Sequence, residues 1–294
     1  IKTVEGNHDR HHVNQREIDV IRKEVLPTLS YKAENIGIIA PYNAQVDALQ
    51  QQIGAPIDIA TVHKFQGREK DAIVMSTVEN QISDFVDDPN LLNVAVSRAK
   101  QKFCLVVTGN KQQKSSNISD LLAYIEYNNF TVTESKIRSI FDYLYKQYTE
   151  ARMAYLATRK RVSKYDSENL TYASIEDILH NNAAMRHLDV VCHLPLRMLI
   201  RDFSLLDESE RRYAGNGLTH VDFLIYNKVG RQPVLVIETD GYQHHKEGSR
   251  QKERDKMKDR ILELYGIPYE RLSTTESNEQ ERIETRLKDV LHIN

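Results

Sequence analysis

The sequence predicts an α/β protein with two sheet-bearing domains, and three observations lead to this prediction. The chain has 294 residues, which is long enough for two separate cores. In its first part, aliphatic segments alternate with helical patterns, as in a parallel sheet covered by helices on both faces. Further along, two segments rich in β-branched and aromatic residues, Val221–Tyr226 and Val234–Ile237, flank a short turn, which is typical of a hairpin.

The first domain is predicted to begin with a helix and to continue with four buried strands. Residues 13–29 have apolar positions at helical spacing, with Asn14 as the N-cap. The strands lie within the segments IGIIAPY, IDIATVH, DAIVMSTV and KFCLVVTG. The first of these is an uninterrupted aliphatic run, which favours a strand buried on both faces of a parallel sheet.

A polar segment at 111–117 predicts a domain boundary. Helical periodicity follows at Ile118–Tyr127 and Ser135–Leu156, so we expect domains at 1–115 and 166–294 joined by a helical connector at 116–165. The connector is rich in tyrosine, which fits packing against a core or a neighbouring domain better than stacking on bases.

Composition excludes some classes of protein and leaves others open. No apolar segment approaches the roughly 20 residues that span a bilayer, and the first residues, IKTVEGNHDRHH, are too polar for a signal peptide. Cys104 and Cys192 lie far apart in apolar segments, which indicates reduced core residues of a cytoplasmic protein. The net charge of −2 does not favour nucleic acid, although local groups of Lys and Arg can still bind phosphates.

Three carboxylates mark the ends of the predicted hairpin strands. Side chains alternate along a strand, so Glu238 and Asp240 share one face. With the hairpin centred near Gly230, Asp222 lies across from Glu238 on that face. Glu238 also follows four consecutive aliphatic residues, where surface carboxylates are uncommon.

Acids held this close repel one another unless a cation joins them, and hard oxygen ligands suit Mg²⁺ or Mn²⁺. Such a metal would lower the pKa of water for attack on phosphorus. The sequence therefore predicts a metal site formed by Asp222, Glu238 and Asp240. The alternative is that each acid is a solvated residue at a strand end. Acids pointing apart, or a basic side chain filling the space between them, would contradict the metal site.

The hairpin and the residues after it resemble the PD-(D/E)xK nuclease superfamily. The residues concerned are an aspartate, a hairpin, E-T-D-G with His244 close behind, and the segment QKERDKMKDRILELYGIPYERL. The similarity covers roughly 167–273 and is greatest to the very-short-patch-repair-like domains found fused to helicases. It implies a restriction-endonuclease-like α/β domain with a mixed sheet. It also implies Mg²⁺-dependent hydrolysis of a phosphodiester in nucleic acid, DNA rather than RNA.

The sequence departs from this superfamily at one position, because the usual lysine two residues after the glutamate is Asp240 here. Candidates to replace it are Lys252, Lys256, Gln243 and His244. The helix predicted at 249–265 has a basic face on which Arg250, Lys252, Arg254, Lys256 and Lys258 lie.

The superfamily also implies a further acid on the first helix of the nuclease domain. Residues 174–183 look like this helix, with Ser174 as its cap and Glu176 in its first turn. Glu176 is therefore a further metal-ligand candidate. Its position near a helix N-terminus is equally explained by the helix dipole.

Three segments of the first domain resemble successive motifs in the second RecA-like domain of superfamily 1 helicases. They are PYNAQ at Pro41–Gln45, TVHKFQGREKDAIVMST at Thr61–Thr77 and LLNVAVSRAKQKFCLVV at Leu91–Val107. The resemblance implies that residues of the second motif, Thr61 and His63, couple nucleotide state to a bound strand.

The same resemblance implies a set of nucleotide contacts. Gln66, Gly67 and Glu69 would face the nucleotide, with Glu69 near the ribose, and Arg98 would reach the γ-phosphate. A guanidinium suits that task because its charge is permanent and its fork bonds two oxygens. The alternative for Arg98 is an ordinary surface arginine.

No glycine in the chain is followed by lysine, so the G-x-x-x-x-G-K-[ST] phosphate loop is absent from the sequence. The helicase arrangement places that loop in an upstream RecA-like domain, so we expect the chain to be the C-terminal part of a longer protein. ATP would then bind only together with that domain, and the isolated chain is predicted neither to hydrolyse ATP nor to unwind a duplex.

Two alternatives to a nuclease remain open at this point. In the first, the nuclease fold is catalytically degenerate and only holds DNA for the motor, which the missing lysine favours. In the second, the chain is an interaction module that contacts a protein partner through its tyrosine-rich connector.

Overall fold

The chain folds into two compact units, Ile1–Arg138 and Ser139–Asn294, in a computed structural model. The structure describes residues 1–54, 56–112, 116–241 and 248–293, and for 248–252 the backbone alone. Each unit has its own four-stranded sheet, which confirms the predicted α/β class. Residues of the predicted connector, 116–165, fall in both units.

The first unit has a parallel sheet, as predicted. A two-stranded antiparallel ribbon, β1 (Asp9–Arg10) and β2 (Val13–Asn14), precedes it. The sheet strands are β3 (Ile36–Ala40), β4 (Asp58–Thr61), β5 (Lys70–Ser76) and β6 (Ala99–Val106), in the order β4-β3-β5-β6. The helices are α1 (Gln15–Val20), α2 (Asn43–Ile53), α3 (Pro89–Ser97) and α4 (Asn117–Tyr127).

Both faces of this parallel sheet are buried. Ile38 of the central strand β3 belongs to the core cluster on one face, and its neighbour Ile39 belongs to the cluster on the other. This arrangement explains why β3 is aliphatic throughout rather than alternating.

The close approach of two side chains to β3 predicts the effect of a small substitution there. A Cβ added at Gly37 would lie 2.5 Å from Phe65 Cζ and 2.7 Å from Ile73 Cδ1, so these buried side chains must move. We expect Gly37→Ala to lower the free energy of unfolding by about 1–3 kcal/mol, measured by urea denaturation. Gly215→Ala is the control, because its Cβ meets only Phe203 Cε2 at 3.6 Å. Equal stability of the two variants would contradict the packing argument.

The predicted N-terminal helix forms with the predicted cap. The Asn14 side chain accepts a hydrogen bond from the Glu17 amide at 3.1 Å. The α-helical hydrogen bonding ends earlier than predicted, because a π-helical turn at Ile21–Val25 and a 3₁₀ turn at Leu26–Thr28 follow α1.

The second unit has a mixed sheet, as predicted. Its strands are β7 (Leu188–Pro195), β8 (His220–Asn227), β9 (Pro233–Asp240) and β10 (Tyr269–Ser273), in the order β10-β9-β8-β7. The pairs β7–β8 and β8–β9 are antiparallel, whereas β9 and β10 are parallel. The helices are α5 (Thr149–Ala157), α6 (Asp166–Asn181), α7 (Leu196–Leu199), α8 (Glu208–Gly215), α9 (Gly248–Leu264) and α10 (Glu279–Leu291).

Residues of α6 and α10 share one core cluster with the sheet, and residues of α9 share the other. The hairpin thus lies in the middle of the unit, covered on both faces. None of the helices among the described residues combines the length and apolar character that crossing a membrane requires.

Two helix predictions are wrong in the second unit. Ser135–Leu156 is not one helix, since the helix α5 starts only at Thr149. Before it, the Ser139 side chain accepts from the Phe141 amide at 3.0 Å and the Asp142 carboxylate accepts from the Ser139 amide at 2.9 Å. This capping box starts a separate 3₁₀ turn.

The second error concerns α6, which begins at Asp166 rather than at Ser174. Ser174 is buried in the middle of the helix and does not cap it. Glu176 therefore lies in the third turn, and the acids of the first turn are Asp166 and Glu168.

Candidate functional site

The β8–β9 hairpin brings two of the predicted acids together. Phe223 pairs with Ile237, a register that places Asp222 across from Glu238, which is the pairing that the sequence predicted. The Thr239 amide donates a hydrogen bond of 2.8 Å to Asp222 Oδ2, which orients that carboxylate against β9.

Glu238 forms a buried ion pair with a lysine of α9. Lys258 Nζ lies 2.6 Å from Glu238 Oε2, and the two residues are only 9% and 3% exposed. Among the described residues, no donor reaches the other oxygen of Glu238, Oε1. A buried carboxylate oxygen without a donor is unusual and is a natural position for a cation.

The electrostatics of the pair follow from burial and from neighbouring charge. Burial raises the pKa of Glu238 to about 7; Lys258 opposes this shift and the charge of Asp222 adds to it. Burial by itself lowers the pKa of Lys258, but the charges of Glu238 and Asp222 outweigh burial and raise it. Lys258 therefore stays cationic at neutral pH, beside a carboxylate whose charge responds to pH.

Sequence reasoning had placed Lys258 on the exposed basic face of α9 and did not assign it a role in the site. The spacing of apolar residues could have indicated that Lys258 points inward. Ile261 and Leu262, three and four residues further along the helix, are both fully buried. Lys256, one of the predicted substitutes for the missing lysine, is exposed. The Lys252 side chain, Gln243 and His244 lie outside the described residues.

Asp240 has a basic partner of its own. Arg271 Nη1 of β10 lies 3.0 Å from Asp240 Oδ1, and the same guanidinium contacts Asp259 at 2.8 Å. Burial raises the pKa of Asp240 while Arg271 opposes the shift. Asp240 therefore adjoins the site but is engaged by Arg271, which the sequence prediction did not include.

Next to Asp222 lie two histidines that were not selected from the sequence, His193 on β7 and His220 on β8. Ligand atoms of His193, His220 and Asp222 all lie within 4.8 Å of one another. Glu168 of α6 adjoins them, with Oε2 3.4 Å from His193 Nε2. The H-x-D spacing of His220 and Asp222 on one strand was a signal that could have found part of this cluster.

Glu176, the predicted metal ligand on α6, has other contacts. Its carboxylate accepts a hydrogen bond from the Tyr172 hydroxyl at 2.8 Å, and its backbone carbonyl lies 2.7 Å from His180 Nδ1. The α6 acid next to the Asp222 cluster is Glu168, two turns earlier. Misplacing the helix start is what directed the prediction to Glu176.

In the first unit, the predicted nucleotide-contacting residues lie just before the first residues of two paired strands of the parallel sheet. Gln66, Gly67 and Glu69 precede β5, and Arg98 precedes β6, its parallel neighbour. The Lys70 amide donates to the Arg98 carbonyl at 3.0 Å, which joins the two segments.

The side chains of these residues are oriented as follows. Gln66 and Glu69 are exposed, and Glu69 lies 3.8 Å from Lys100. The Arg98 guanidinium donates to the Ser97 hydroxyl at 3.2 Å at the C-terminal end of α3. Gly67 has a φ of +81°, a conformation that favours glycine. Thr61 is buried at the end of β4, and His63 is exposed in the following 3₁₀ turn.

Comparison with known proteins identifies the relatives of this first unit. Residues 2–112 match the family described as "AAA domain". The DNA replication ATP-dependent helicase/nuclease dna2 of Schizosaccharomyces pombe is 40% identical over 120 residues, and the regulator of nonsense transcripts 1 homolog of Drosophila melanogaster is 44% identical over 92. The first unit is a RecA-like domain that is similar to segments of these proteins.

The RecA-like domain accounts for only part of the chain and of its relatives. The matched segments cover 38% and 27% of this chain and 8% of each of those two proteins. DNA-binding protein SMUBP-2 of Rattus norvegicus is 30% identical over 127 residues, which cover 41% of this chain and 12% of that protein. The chain thus spans a small fraction of the relatives that it matches.

The second unit matches a different family. Residues 163–291 match the one described as "Protein of unknown function (DUF2726)". This match covers the whole mixed sheet and the helices α6 to α10, and it assigns no activity to them.

Proposed function

We propose that the second unit is a metal-dependent phosphodiesterase that cleaves nucleic acid, DNA in the first instance, beside a RecA-like helicase domain. One observation carries the proposal. Asp222 and Glu238 face each other across adjacent strands, a buried oxygen of Glu238 has no described donor, and the ammonium group of Lys258 touches the same carboxylate.

The residues fit a divalent cation, because Lys258 contacts Oε2 of Glu238 and leaves its buried Oε1 without a described donor. Asp222 and Glu238 would hold it, and their carboxylate oxygens are the ligands that Mg²⁺ and Mn²⁺ prefer. A cation there would neutralise charge on the phosphate and make water more acidic for attack on phosphorus. Burial raises the pKa of Glu238 to about 7, so a nearby cation would also restore the ionised carboxylate.

Lys258 performs the task that the superfamily gives to the lysine missing at Asp240. Its ammonium group is anchored on Glu238 and is held in a buried position, where a fixed charge stabilises developing negative charge more strongly than it does in water. It reaches the site from α9 rather than from β9. The exposed basic residues Arg254 and Lys256 on the same helix supply positive charge for a polyanionic backbone.

Plasmid cleavage tests this proposal. We expect the purified chain to nick plasmid DNA with Mn²⁺ or Mg²⁺, and we expect the nicking to stop when EDTA is added. The cleavage rate should fall by about tenfold or more in Asp222→Asn and Glu238→Gln, since each variant loses an oxygen ligand of the metal. Asp289→Asn, an exposed change on α10, is the matched control. Equal cleavage by all four proteins would show that the assigned site does not cut DNA.

A DNA-holding module is the second candidate, and specific contacts favour it. Lys258 pairs with Glu238 and Arg271 pairs with Asp240, so basic side chains already neutralise two of the three acids. This function predicts DNA binding without cleavage under any metal, and binding that is unchanged in Asp222→Asn. A gel-shift titration beside the cleavage assay separates the two candidates.

For the RecA-like domain, we propose that it completes an ATP-driven motor together with a second RecA-like domain. The adjacent positions of Gly67, Glu69 and Arg98 at one sheet edge support a shared role in contacting nucleotide. ATP turnover by the isolated chain is expected to stay at background with and without DNA, because the chain has no phosphate loop. DNA-stimulated turnover that is lost in Arg98→Ala would contradict this expectation.

A further inference from the structure

The cluster of His193, His220 and Asp222 is not explained by an all-oxygen Mg²⁺ site. The two histidines lie on neighbouring strands, β7 and β8, and His193 stands across from Asp222 between the paired residues Cys192–Phe223 and Leu194–Val221. Their ring centroids are 5.2 Å apart at an angle of 75°. The rings are thus edge to face, with nitrogen atoms of both close to the Asp222 carboxylate.

The hydrogen bonding of His220 leaves one ring nitrogen able to bind a metal ion. Its Nδ1 lies 3.0 Å from the Leu218 carbonyl oxygen, which can only accept a hydrogen bond. In the neutral ring, Nδ1 therefore carries the proton and Nε2 carries the lone pair. A carbonyl partner on the far ring nitrogen is the usual arrangement around histidines that bind metals.

The backbone and the surrounding charge add to this picture. His193 has a φ of +51°, a left-handed conformation inside a β-strand that a non-glycine residue adopts at a cost. The Glu168 carboxylate adjoins His193 at 3.4 Å, so negative charge from α6 joins that of Asp222. Two imidazoles flanked by two carboxylates form an electrostatic environment that favours a cation.

We propose that His193, His220 and Asp222 bind a first-row metal ion of the Co²⁺ or Zn²⁺ class. In a tetrahedral site, atoms bound to one such ion at about 2.0–2.2 Å lie roughly 3.3–3.6 Å from one another. The three ligand atoms, which lie within 4.8 Å of one another, reach this geometry by side-chain rotation. Imidazole nitrogen selects these ions over Mg²⁺. Asp222 is thereby shared between this site and Glu238. The relevance of the ion to cleavage rests on the proposed function, whereas its binding does not.

Cobalt binding tests the proposal without any cleavage assay. The purified chain is titrated with Co²⁺, and its visible absorption and calorimetric affinity are recorded in the presence of excess Mg²⁺. We expect one Co²⁺ site that Mg²⁺ does not displace and that Zn²⁺ does. In His193→Ala and His220→Ala the affinity should fall about tenfold or more, and the ligand-field bands should be lost.

Two controls make the result specific. His187→Ala removes an exposed histidine of which only the backbone makes a described contact, and it should bind Co²⁺ as the unchanged chain does. Asp289→Asn, which removes an exposed carboxylate of α10, should also keep the cobalt spectrum. Far-UV circular dichroism checks that each variant is folded. If an alanine variant of one of the two ligand histidines does not fold, the glutamine variant of the same histidine, His193→Gln or His220→Gln, takes its place.

The outcomes separate this inference from the nuclease proposal. The inference would be overturned if both histidine variants kept an unchanged cobalt spectrum. It would also be overturned if the spectrum were lost in Glu238→Gln and kept in the two histidine variants. Either result would leave the question of cleavage open. A histidine-dependent cobalt site in a chain that never nicks plasmid would uphold the inference and end the nuclease proposal. Displacement of Co²⁺ by Mg²⁺ at similar concentrations would also count against the inference.

Discussion

Replacing Lys258 by methionine is expected to slow DNA cleavage by about 100- to 1000-fold, the usual cost of removing one fixed stabilising group from an active site. Methionine keeps the length and apolar stem of the side chain but removes the ammonium group that lies 2.6 Å from Glu238 Oε2. Glu238 then loses the contact that opposes the rise in its pKa, so it is protonated over a wider pH range. The site would lose both a fixed positive charge and a carboxylate charge.

Single-turnover cleavage at saturating Mn²⁺ measures the loss. Lys228→Met is the matched control, because Lys228 is exposed in the turn between β8 and β9. Lys256→Met, on the same helix as Lys258, tests the sequence-based candidate in parallel. Lys258→Arg restores the charge and should recover part of the rate, which a purely structural role would not predict. Wild-type rates in Lys258→Met would remove Lys258 from the mechanism.

The second large effect is expected on stability and concerns the buried carboxylate of Glu17 in the RecA-like domain. Burial raises its pKa from 4.5 to about 7, against hydrogen bonds from the Ser76 hydroxyl, the Val78 amide and the Thr77 hydroxyl. A group whose pKa is raised on folding contributes stability below its unfolded pKa, and this contribution is lost as the pH rises through the folded value.

We therefore expect Glu17→Gln to gain stability relative to the unchanged chain as the pH rises from about 4.5 to about 8, by roughly 3 kcal/mol at 1.36 kcal/mol for each unit of pKa. Urea unfolding of both proteins across this range measures the difference, which cancels the contribution of Glu238 and other shared groups. Glu34→Gln, an exposed change before β3, should show no such trend. A pH-independent difference for Glu17→Gln would contradict a raised pKa.

Sequence patterns predicted the two sheets and the hairpin register because both depend on local periodicity. The aliphatic run in β3 and the symmetric spacing of Asp222 and Glu238 about Gly230 are visible in the sequence itself. The contribution of Lys258 was not, since α9 is highly charged and its inward face is set by packing on the sheet. His193 and Arg271 were missed for a related reason, because each reaches the acids from a neighbouring strand that is distant in sequence.

The start of α6 shows how a local error moves a predicted site. A serine followed by acids resembles a helix cap, and that pattern placed the first turn at Ser174, although the helix extends eight residues further toward its N-terminus. Thr171 and Tyr172, which precede the apparent cap, contact the sheet residues Thr239 and Phe223, and this tertiary packing overrides the local signal. The acid that lies near the start of the helix is consequently Glu168 and not Glu176.

The hydrogen bond between the Lys70 amide and the Arg98 carbonyl ties two segments that are nearly 30 positions apart in the chain. β5 and β6 stay paired beyond this bond, from Lys70 and Ala99 to Ser76 and Val106. We therefore expect a displacement of the Arg98 backbone to shift the start of β5 as well, three residues after Gly67.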